Sequence, residues 1–338
     1  MSIFRSEQYR LALTPCENAF GYKTGTTAWG VADGAYPVGL LKGYEPPDPE
    51  IEWKDFKQIG VASSRNIETL VQGPFSLSGN IPFTIQDARM IALAFGSDSV
   101  SGSADPYTHT IKPADELPSF GAVVSRLTSG VGNDYNRIYS GLKVDQLSLA
   151  AESSGELKAS VTVQGQNVTQ DNASDAPDVT ALDDEPYWFY QSTITFWSTE
   201  IGRLQSFEMT LSNNIDGKRY FKTAPVNSVS ELLEGGRQFS LKADIAIDDM
   251  TIYDKLINGT NFDISLYFER ASGDTLKISS DISLDMQTLD GGANNCYISK
   301  APHSVPDSNE VVVPVEIIMK NAYAVIENDY ATSYVALA

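Results

Sequence analysis

The 338-residue sequence has few of the residues that carry catalysis and metal binding. It contains two histidines and two cysteines, and they do not cluster at the spacing of a zinc site. It also lacks a Gly-x-Ser-x-Gly nucleophile elbow and the Gly-Lys-Ser/Thr ending of a phosphate-binding loop. These absences argue against an enzyme, and we expect no catalytic, cofactor-binding or metal-binding residues.

The scarce histidines and cysteines are each predicted to be structural. His109 and His303 stand alone in a strand or a loop, and neither has an evident catalytic partner nearby in sequence. Cys16 and Cys296 lie far apart, in opposite halves of the chain. Because one distant pair does not make a disulfide framework, we predict two free, buried thiols.

Long hydrophobic runs are also missing. No segment approaches the roughly 18–20 apolar residues that cross a bilayer as a helix. The first residues, Met-Ser-Ile-Phe-Arg-Ser-Glu, lack the basic and then apolar pattern of a secretory signal. We therefore expect no membrane association and folding in a cytoplasm.

Basic residues are scarce relative to acidic ones. The chain has 24 Lys and Arg against 44 Asp and Glu, which gives a formal net charge of −20. A field of this sign repels phosphate and disfavours specific binding of nucleic acid. It suits high salt, solubility, or a surface along which DNA passes without sticking.

Two further patterns have both a structural and a functional interpretation. The acidic groups 183–185 and 248–249 are candidate ligands for a hard cation such as calcium, but a solvated linker and a helix cap explain them better. The aromatic segment 187–190 (Tyr-Trp-Phe-Tyr) is a candidate sugar platform. Burial in a core or a subunit contact is the favoured interpretation.

A strand followed by a short helix occurs twice in the chain. The first unit covers residues 68–96 and the second covers residues 233–259. Phe-Ser-Leu at 75–77 matches Phe-Ser-Leu at 239–241, an offset of 164 residues. We interpret the chain as a gapped duplication.

The ends of the two helices are predicted from their capping residues. Thr84 followed by Asp87 fits a capping box, and Gly96 fits the left-handed stop of the first helix. In the second unit Asp248 is the expected cap and Gly259 the expected stop.

Later strands are predicted from alternating apolar residues. Leu142–Leu149 matches Leu276–Leu284 at a smaller offset, and the apolar phase within 144–147 indicates a β-bulge. The return strands cover 157–163 and 313–319, with Pro314 at an edge or an outward position. The proline-rich segment Tyr44–Glu50 is predicted to be a loop.

Together these patterns predict a mainly β fold of two tandem related β-sandwich or half-barrel domains, each with one short α-helix. The acidic linker 171–185 places the boundary near residue 180. We expect an extended N-terminal arm at 1–35, a first domain at 36–180 and a second at 181–338.

A set of segments recurs in a characteristic order along the chain: 73–96, 108–113 with 117–120, 139–149, 161–165, 207–214 and 235–259. Their order resembles the tail tube proteins (major tail proteins) of long-tailed, siphovirus-like phages and archaeal tailed viruses. The resemblance covers roughly residues 65–325.

The resemblance implies a structural virion protein whose rings stack into the hollow tail tube through which viral DNA is delivered. It implies assembly in the host cytoplasm and partners that include further copies of itself, a tape measure protein, and tail terminator and baseplate proteins. DNA would pass an acidic lumen without specific binding. Two related domains per chain suggest homotrimeric, pseudo-sixfold rings. The arm 1–35 and the loop 97–120 are candidates for contacts between rings.

Three other interpretations compete with the tail tube. The first is another tail ring component, such as a terminator or a baseplate hub. The second is an extracellular carbohydrate-binding or adhesion protein with exposed aromatic residues and calcium. The third is a hydrolase on a β scaffold, although no acid pair or catalytic triad is evident.

Overall fold

The structure of the protein, a computed structural model, describes most of the chain. The described residues are 9–41, 43, 45–56, 69–127, 134–196, 199–200, 204–220, 227–246, 251–280, 296–302 and 311–338. His303, the acidic pair 248–249 and the expected helix cap Asp248 lie outside them, as do residues 281–284 of the segment Leu276–Leu284.

The described chain is built from antiparallel strands with two short α-helices. The helices are α1 (Arg89–Phe95) and α2 (Thr251–Asn258), with 3-10 turns at Val31–Asp33 and Phe189–Gln191. The strands up to residue 180 are β1 (Tyr9–Cys16), β2 (Leu40–Leu41), β3 (Glu45–Phe56), β4 (Thr69–Thr84), β5 (Gly96–Ser101), β6 (Tyr107–Pro113), β7 (Phe120–Arg126), β8 (Tyr135–Glu152), β9 (Lys158–Gln164) and β10 (Asn167–Asp171). The later strands are β11 (Ser192–Phe196), β12 (Thr199–Glu200), β13 (Leu204–Ser212), β14 (Asp216–Lys218), β15 (Glu231–Leu233), β16 (Gln238–Ala246), β17 (Ile264–Glu269), β18 (Thr275–Ser279), β19 (Cys296–Lys300), β20 (Val312–Met319) and β21 (Tyr323–Asn328).

Two large sheets contain nearly all of these strands. The first sheet has the order β19-β20-β16-β13-β8-β9-β4-β2; β3 also pairs with β4, β7 and β10 with β8, and β1 with β7. The second sheet has the order β12-β11-β17-β18-β21-β6-β5, and β14 pairs with β15 alone. The mainly β, sandwich-type prediction is confirmed.

The core lies between the sheets and includes helix α1. Alternate residues of the first sheet, such as Leu149, Val161 and Leu241, are buried together with Phe268 of the second sheet and Phe95 of α1. Alternation places every second side chain on the same face. One apolar cluster therefore joins both sheets and both halves of the chain.

Helix α1 begins later than its capping pattern predicts. Thr84 is the last residue of β4, and the prediction of a cap there is wrong. The chain stays extended because the Ile85 amide donates to the Leu157 carbonyl at 3.3 Å. The predicted stop is confirmed, since Gly96 adopts a left-handed φ of 107°. Gly259, with φ of 59°, directly follows α2.

The proline-rich segment predicted as a loop is part of strand β3. Residues from Asp48 onwards pair with β4, and this strand forms a long hairpin with its neighbour. Prolines are tolerated on an edge strand because one row of its amide groups has no strand partner. The loop prediction was therefore wrong.

The first sheet contains two blocks of four strands with the same order. The first block is β3-β4-β9-β8 and the second is β13-β16-β20-β19. The register agrees as well: Ile81 pairs with Val161 in the first block, and Ile245 pairs with Val313 in the second. The strand offset of 164 is thus reproduced in three dimensions.

The second sequence match does not hold in the structure. Leu276 lies in β18 of the second sheet, whereas Leu142 lies in β8 of the first sheet. Position in the sheet makes β19, not β18, the counterpart of β8. Short alternating apolar patterns recur in every half-buried strand, so a match of this length carries little information.

Two details of the strand predictions have clear outcomes. The bulge in β8 is confirmed, because the register with β9 shifts between Val144 and Gln146. Pro314 is exposed and pairs with Asp244, and the described pairing of β19 ends at Glu316. The proline therefore occupies an outward position.

The domain boundaries remain a prediction. Strand β13, which follows residue 180, pairs directly with β8 of the preceding half. Strand β1, in the expected arm, pairs with β7. Below, the first half means residues up to 180 and the second half means the rest.

Candidate assembly surfaces

One face of the first sheet is polar across both halves of the chain. We call it the polar face, and it consists of the side chains that alternate with the buried core positions of β4, β9, β8, β13, β16 and β20. Its residues include Ser78, Asn80, Pro82, Lys158, Ser160, Thr162, Gln164, Gln146, Ser148, Ala150, Glu152, Ser206, Glu208, Thr210, Ser212, Gln238, Ser240, Lys242, Asp244, Pro314, Glu316 and Ile318.

The strand registers arrange these side chains in rows across the sheet. Ser160, Ser148, Thr210 and Ser240 form a row of short hydroxyl groups. A neighbouring row carries charges of alternating sign, and its members are Lys158, Glu208, Lys242, Glu316 and Lys300.

The charges of the polar face are partly compensated by neighbours. The Lys300 amine lies 3.2 Å from the Glu316 carboxylate, and the Ser148 hydroxyl donates to Glu208 at 3.1 Å. Opposite charges on adjacent strands attract. The face thus presents hydroxyl groups and paired charges rather than a basic stripe.

The two blocks meet at a strand junction between β13 and β8. The pairing runs from Ser206 opposite Glu152 to Ser212 opposite Gln146. The first block thus contributes its β8 edge and the second block its β13 edge. The junction joins unlike edges of two similar blocks.

The segment between β13 and β16, residues 213–237, extends this junction; we call it the junction loop. Its described side chains Ile215, Val229 and Leu232 form an apolar cluster with Leu117 of the first half. Phe20, also of the first half, packs against this cluster. Burial of these side chains stabilises the contact between the halves.

Polar contacts fix the junction loop in place. The buried Asn213 amide donates to the carbonyls of Ala94 and Val144, at 3.0 and 2.9 Å. The Lys143 amine lies 2.6 Å from the Glu234 carboxylate, which also accepts from the Leu117 amide at 3.0 Å. A buried polar group that has its partners is stable, whereas one that loses them is costly.

The pKa of Glu234 reflects these partners. Partial burial favours the neutral acid and raises the pKa, but the hydrogen bonds from Lys143 and the Leu117 amide outweigh burial and lower it overall. Glu234 therefore carries its charge at the junction.

The blocks also have two outer edges, β3 and β19. Strand β3 pairs with β4 and strand β19 pairs with β20, and neither has a second strand partner among the described residues of the first sheet. Cys296, at the start of β19, also forms a bridge to Phe262, so the outer edge of β19 is partly occupied. Trp53, Leu70 and Val71 of the β3–β4 hairpin are exposed. Open edges and exposed apolar side chains are features of contact surfaces.

The two cysteines are free and buried, as predicted. Cys16 lies in β1 and Cys296 in β19. Burial raises the pKa of both thiols to about 12, so neither is a reactive thiolate.

His109 is a buried, structural residue with a charged partner. Its Nδ1 lies 2.9 Å from an Asp98 carboxylate oxygen, and its Nε2 lies 2.7 Å from the Tyr330 carbonyl oxygen. Both neighbours offer acceptor oxygens, an arrangement that favours the charged imidazole, in which both ring nitrogens donate. Burial alone would lower its pKa, but these two hydrogen bonds raise it above the ordinary value.

The His109 site connects the second half to the first. The same Asp98 carboxylate accepts from the Tyr334 amide at 2.8 Å, and the Tyr334 ring lies 4.6 Å from the imidazole. The Arg89 guanidinium packs against Tyr330 and Tyr334 and opposes the positive charge of the imidazole. Sequence alone gave no signal for this site, because the partners are distant along the chain.

The acidic group 183–185 and the aromatic segment 187–190 contact other parts of the fold. Asp184 lies 3.7 Å from the guanidinium of Arg270, which packs 4.1 Å from the ring of the buried Tyr187. Trp188 stacks on the exposed Tyr190. Within the described part of the chain, no group of acids, histidines and cysteines could hold a metal ion.

Comparison with known proteins agrees with this architecture. Neither described α-helix has the length and apolarity that crossing a bilayer requires.

A search of curated proteins finds no match. The family model described as "Phage tail tube protein" matches residues 17–317. Because this match covers more than half of the chain, the protein belongs to the phage tail tube protein family and is a structural component of the virion tail.

Proposed function

We propose that the protein forms rings of three chains and that these rings stack into a hollow tube for delivery of viral DNA. Each chain contributes two four-strand blocks, so a ring has six similar blocks. The family supports the tube, and the order of strands in the first sheet supports the ring.

The observation that carries the ring is the junction between β13 and β8. It joins the β13 edge of one block to the opposite edge of the other. The counterparts of these strands, β3 and β19, are the outer edges of the sheet. A contact between unlike edges, repeated at a constant rotation, generates either a closed ring or an open helix. Closure would cover the β3 and β19 edges on each chain.

The prolines of β3 limit how this outer edge pairs. Pro46, Pro47 and Pro49 have no amide proton, so this part of the strand offers carbonyl groups but few donors. Prolines on an edge strand oppose uncontrolled pairing. The contact between chains therefore depends on further residues beyond the strand edge.

The polar face supports a lumen through which DNA slides. In the ring it faces inwards, because the other face of the sheet is covered by the second sheet and α1. Its hydroxyl row and compensated charges offer few contacts to phosphate, and each such contact would retain the DNA. The overall charge of −20 opposes retention as well.

The partners follow from the tube. The chain binds further copies of itself within and between rings, a tape measure protein in the lumen, and terminator and baseplate proteins at the two ends. Assembly takes place in the host cytoplasm.

The test is negative-stain electron microscopy of the purified protein, with mass photometry of the same sample. We expect tubes, or rings with the mass of three chains. Rings of six chains would retain the tube and overturn the trimer. Rings that never stack would favour a terminator or hub, and a monomer at every concentration would overturn the ring.

A further inference from the structure

The β3–β4 hairpin carries a second contact surface for a neighbouring chain. We propose, building on the ring assembly above, that Trp53 and Leu70 of this hairpin dock on the second half of the next chain in the same ring. This contact between chains would be equivalent to the contact that the junction loop makes with the first half within one chain.

The strand registers identify the counterparts of Trp53 and Leu70. Ile51 pairs with Phe75 in the first block, and Leu211 pairs with Phe239 in the second. Two residues further along the chain lie Trp53 in the first block and Asn213 in the second, although the pairing of β3 with β4 shifts by one residue between Ile51 and Trp53. The offset of 164 that relates β4 to β16, continued to the residues before β16, places Leu70 at the position of Glu234 in the junction loop.

Both counterparts bind the other half of the chain. Asn213 reaches the carbonyls of Ala94 and Val144, and Glu234 binds the Lys143 amine and the Leu117 amide. Asn213 and Glu234 thus attach the junction loop to the first half of the same chain. The hairpin occupies the equivalent place in the first block, but in the described part of the chain no block lies beside it.

Trp53 and Leu70 form an apolar pair suited to such a contact. Trp53 pairs with Gln72 and Asp55 pairs with Leu70, so Trp53 and Leu70 lie on the same face of the hairpin. Their exposed fractions are 59% and 57%. Val71 pairs with Lys54 and lies on the opposite face.

The partner is a second copy of this chain, and Lys300 marks the receiving region. Lys143, beside the junction loop, pairs with Gln164 of β9. Lys300 pairs with Glu316 of β20, and Gln164 and Glu316 are counterparts in the two blocks. Within one chain, the junction loop contacts Lys143. By the same correspondence, the hairpin of one chain docks near Lys300 of its neighbour.

The first test compares Leu70→Asp with Val71→Asp in the full chain. Val71 is 47% exposed and lies on the other face of the same hairpin, which makes it a matched control. We expect Leu70→Asp to raise the concentration needed for ring formation by about tenfold or more, because a charge is desolvated in the contact. Val71→Asp should shift it less than threefold. Thermal unfolding of both variants at a concentration below assembly should match the parent.

A cross-link separates contacts within a ring from contacts between rings. Leu70→Cys combined with Lys300→Cys is treated with a short bismaleimide, and each single variant is the control for the native thiols. A contact within the ring gives covalent products no larger than the number of chains in one ring, as mass photometry counts them.

Three outcomes would overturn the proposal. Leu70→Asp rings that close normally but do not stack would make the hairpin a contact between rings. Equal assembly of both aspartate variants, or cross-linked products larger than one ring, would also exclude the contact. A parent chain that never forms rings would instead overturn the proposed function itself.

Discussion

The two four-strand blocks have the same strand order but different neighbours. Strand β13 of the second block is covered by β8, whereas its counterpart β3 is an outer edge. The junction loop buries Ile215 and Leu232, whereas the hairpin exposes Trp53. The difference shows that each block has one edge strand paired within the chain, whereas its other edge strand has no second strand partner among the described residues.

A second difference is the segment that follows the blocks. Residues after β21 return to the first half, where Tyr330 and Tyr334 contact His109 and Asp98. The contact between the halves is thus reinforced at a distance from the strand edge, because Tyr330 and Tyr334 bind the buried His109–Asp98 pair of the first half. Substitutions at His109 and at Lys143 can remove the two contacts separately, and the loss of stability then measures how much each contact contributes.

Removing the His109 charge should have the largest effect. We expect His109→Gln to destabilise the chain by about 3 kcal/mol, because Asp98 then stays buried without its cation. The pKa of His109 is raised in the folded state, so its contribution is complete below the ordinary pKa of about 6.5 and is lost as pH rises through the folded value.

Urea unfolding from pH 6 to pH 9 tests this prediction, with protein kept at one concentration. The parent should lose stability towards the alkaline end, and His109→Gln should be flatter. An identical pH dependence in both proteins would contradict the charged imidazole. Ser99→Ala, in the same strand as Asp98, serves as a control.

Removing Lys143 should have a smaller effect and compares the two blocks directly. Lys143→Met breaks the pair with Glu234 and should cost about 1 kcal/mol, whereas Lys300→Met at the exposed counterpart should cost less than about 0.5 kcal/mol. Denaturant unfolding below the assembly concentration measures both. Equal costs would contradict the view that only one of the two sites is an internal junction.

The pH dependence of the Lys143 variant has the opposite sign to that of His109. The pKa of Glu234 is lowered in the folded state, so its contribution is present above the unfolded pKa and is lost as pH falls through the folded value. Lys143→Met should therefore flatten the acid side of the stability curve. An unchanged acid side would show that Glu234 gains little from Lys143.

Local sequence patterns predicted the elements that depend on local physics. Gly96 ends α1 in the left-handed conformation as expected, and the bulge after Val144 was visible as a change of apolar phase. The prediction of a helix cap at Thr84 was wrong because this residue pairs with Lys158 of β9 and ends strand β4 instead. Local propensity is easily overridden by a partner strand.

Contacts between distant segments were not predictable in this way. The distant partners of His109 and Asp98 are Tyr330 and Tyr334, and no periodicity links these positions. The apparent match of Leu142 with Leu276 failed because alternation records burial of one face, not the place of a strand in a sheet. The assembly surfaces required the strand order, which only the structure provides.

The central claim is that the edge contact between chains repeats the internal junction of β13 with β8. A cryo-electron microscopy map of the assembled ring tests it most directly. The account predicts three chains per ring, with β3 of each chain beside the β19 end of the next and Trp53 covered by that neighbour. A ring in which two β3 edges meet, or in which β3 faces solvent, would contradict it.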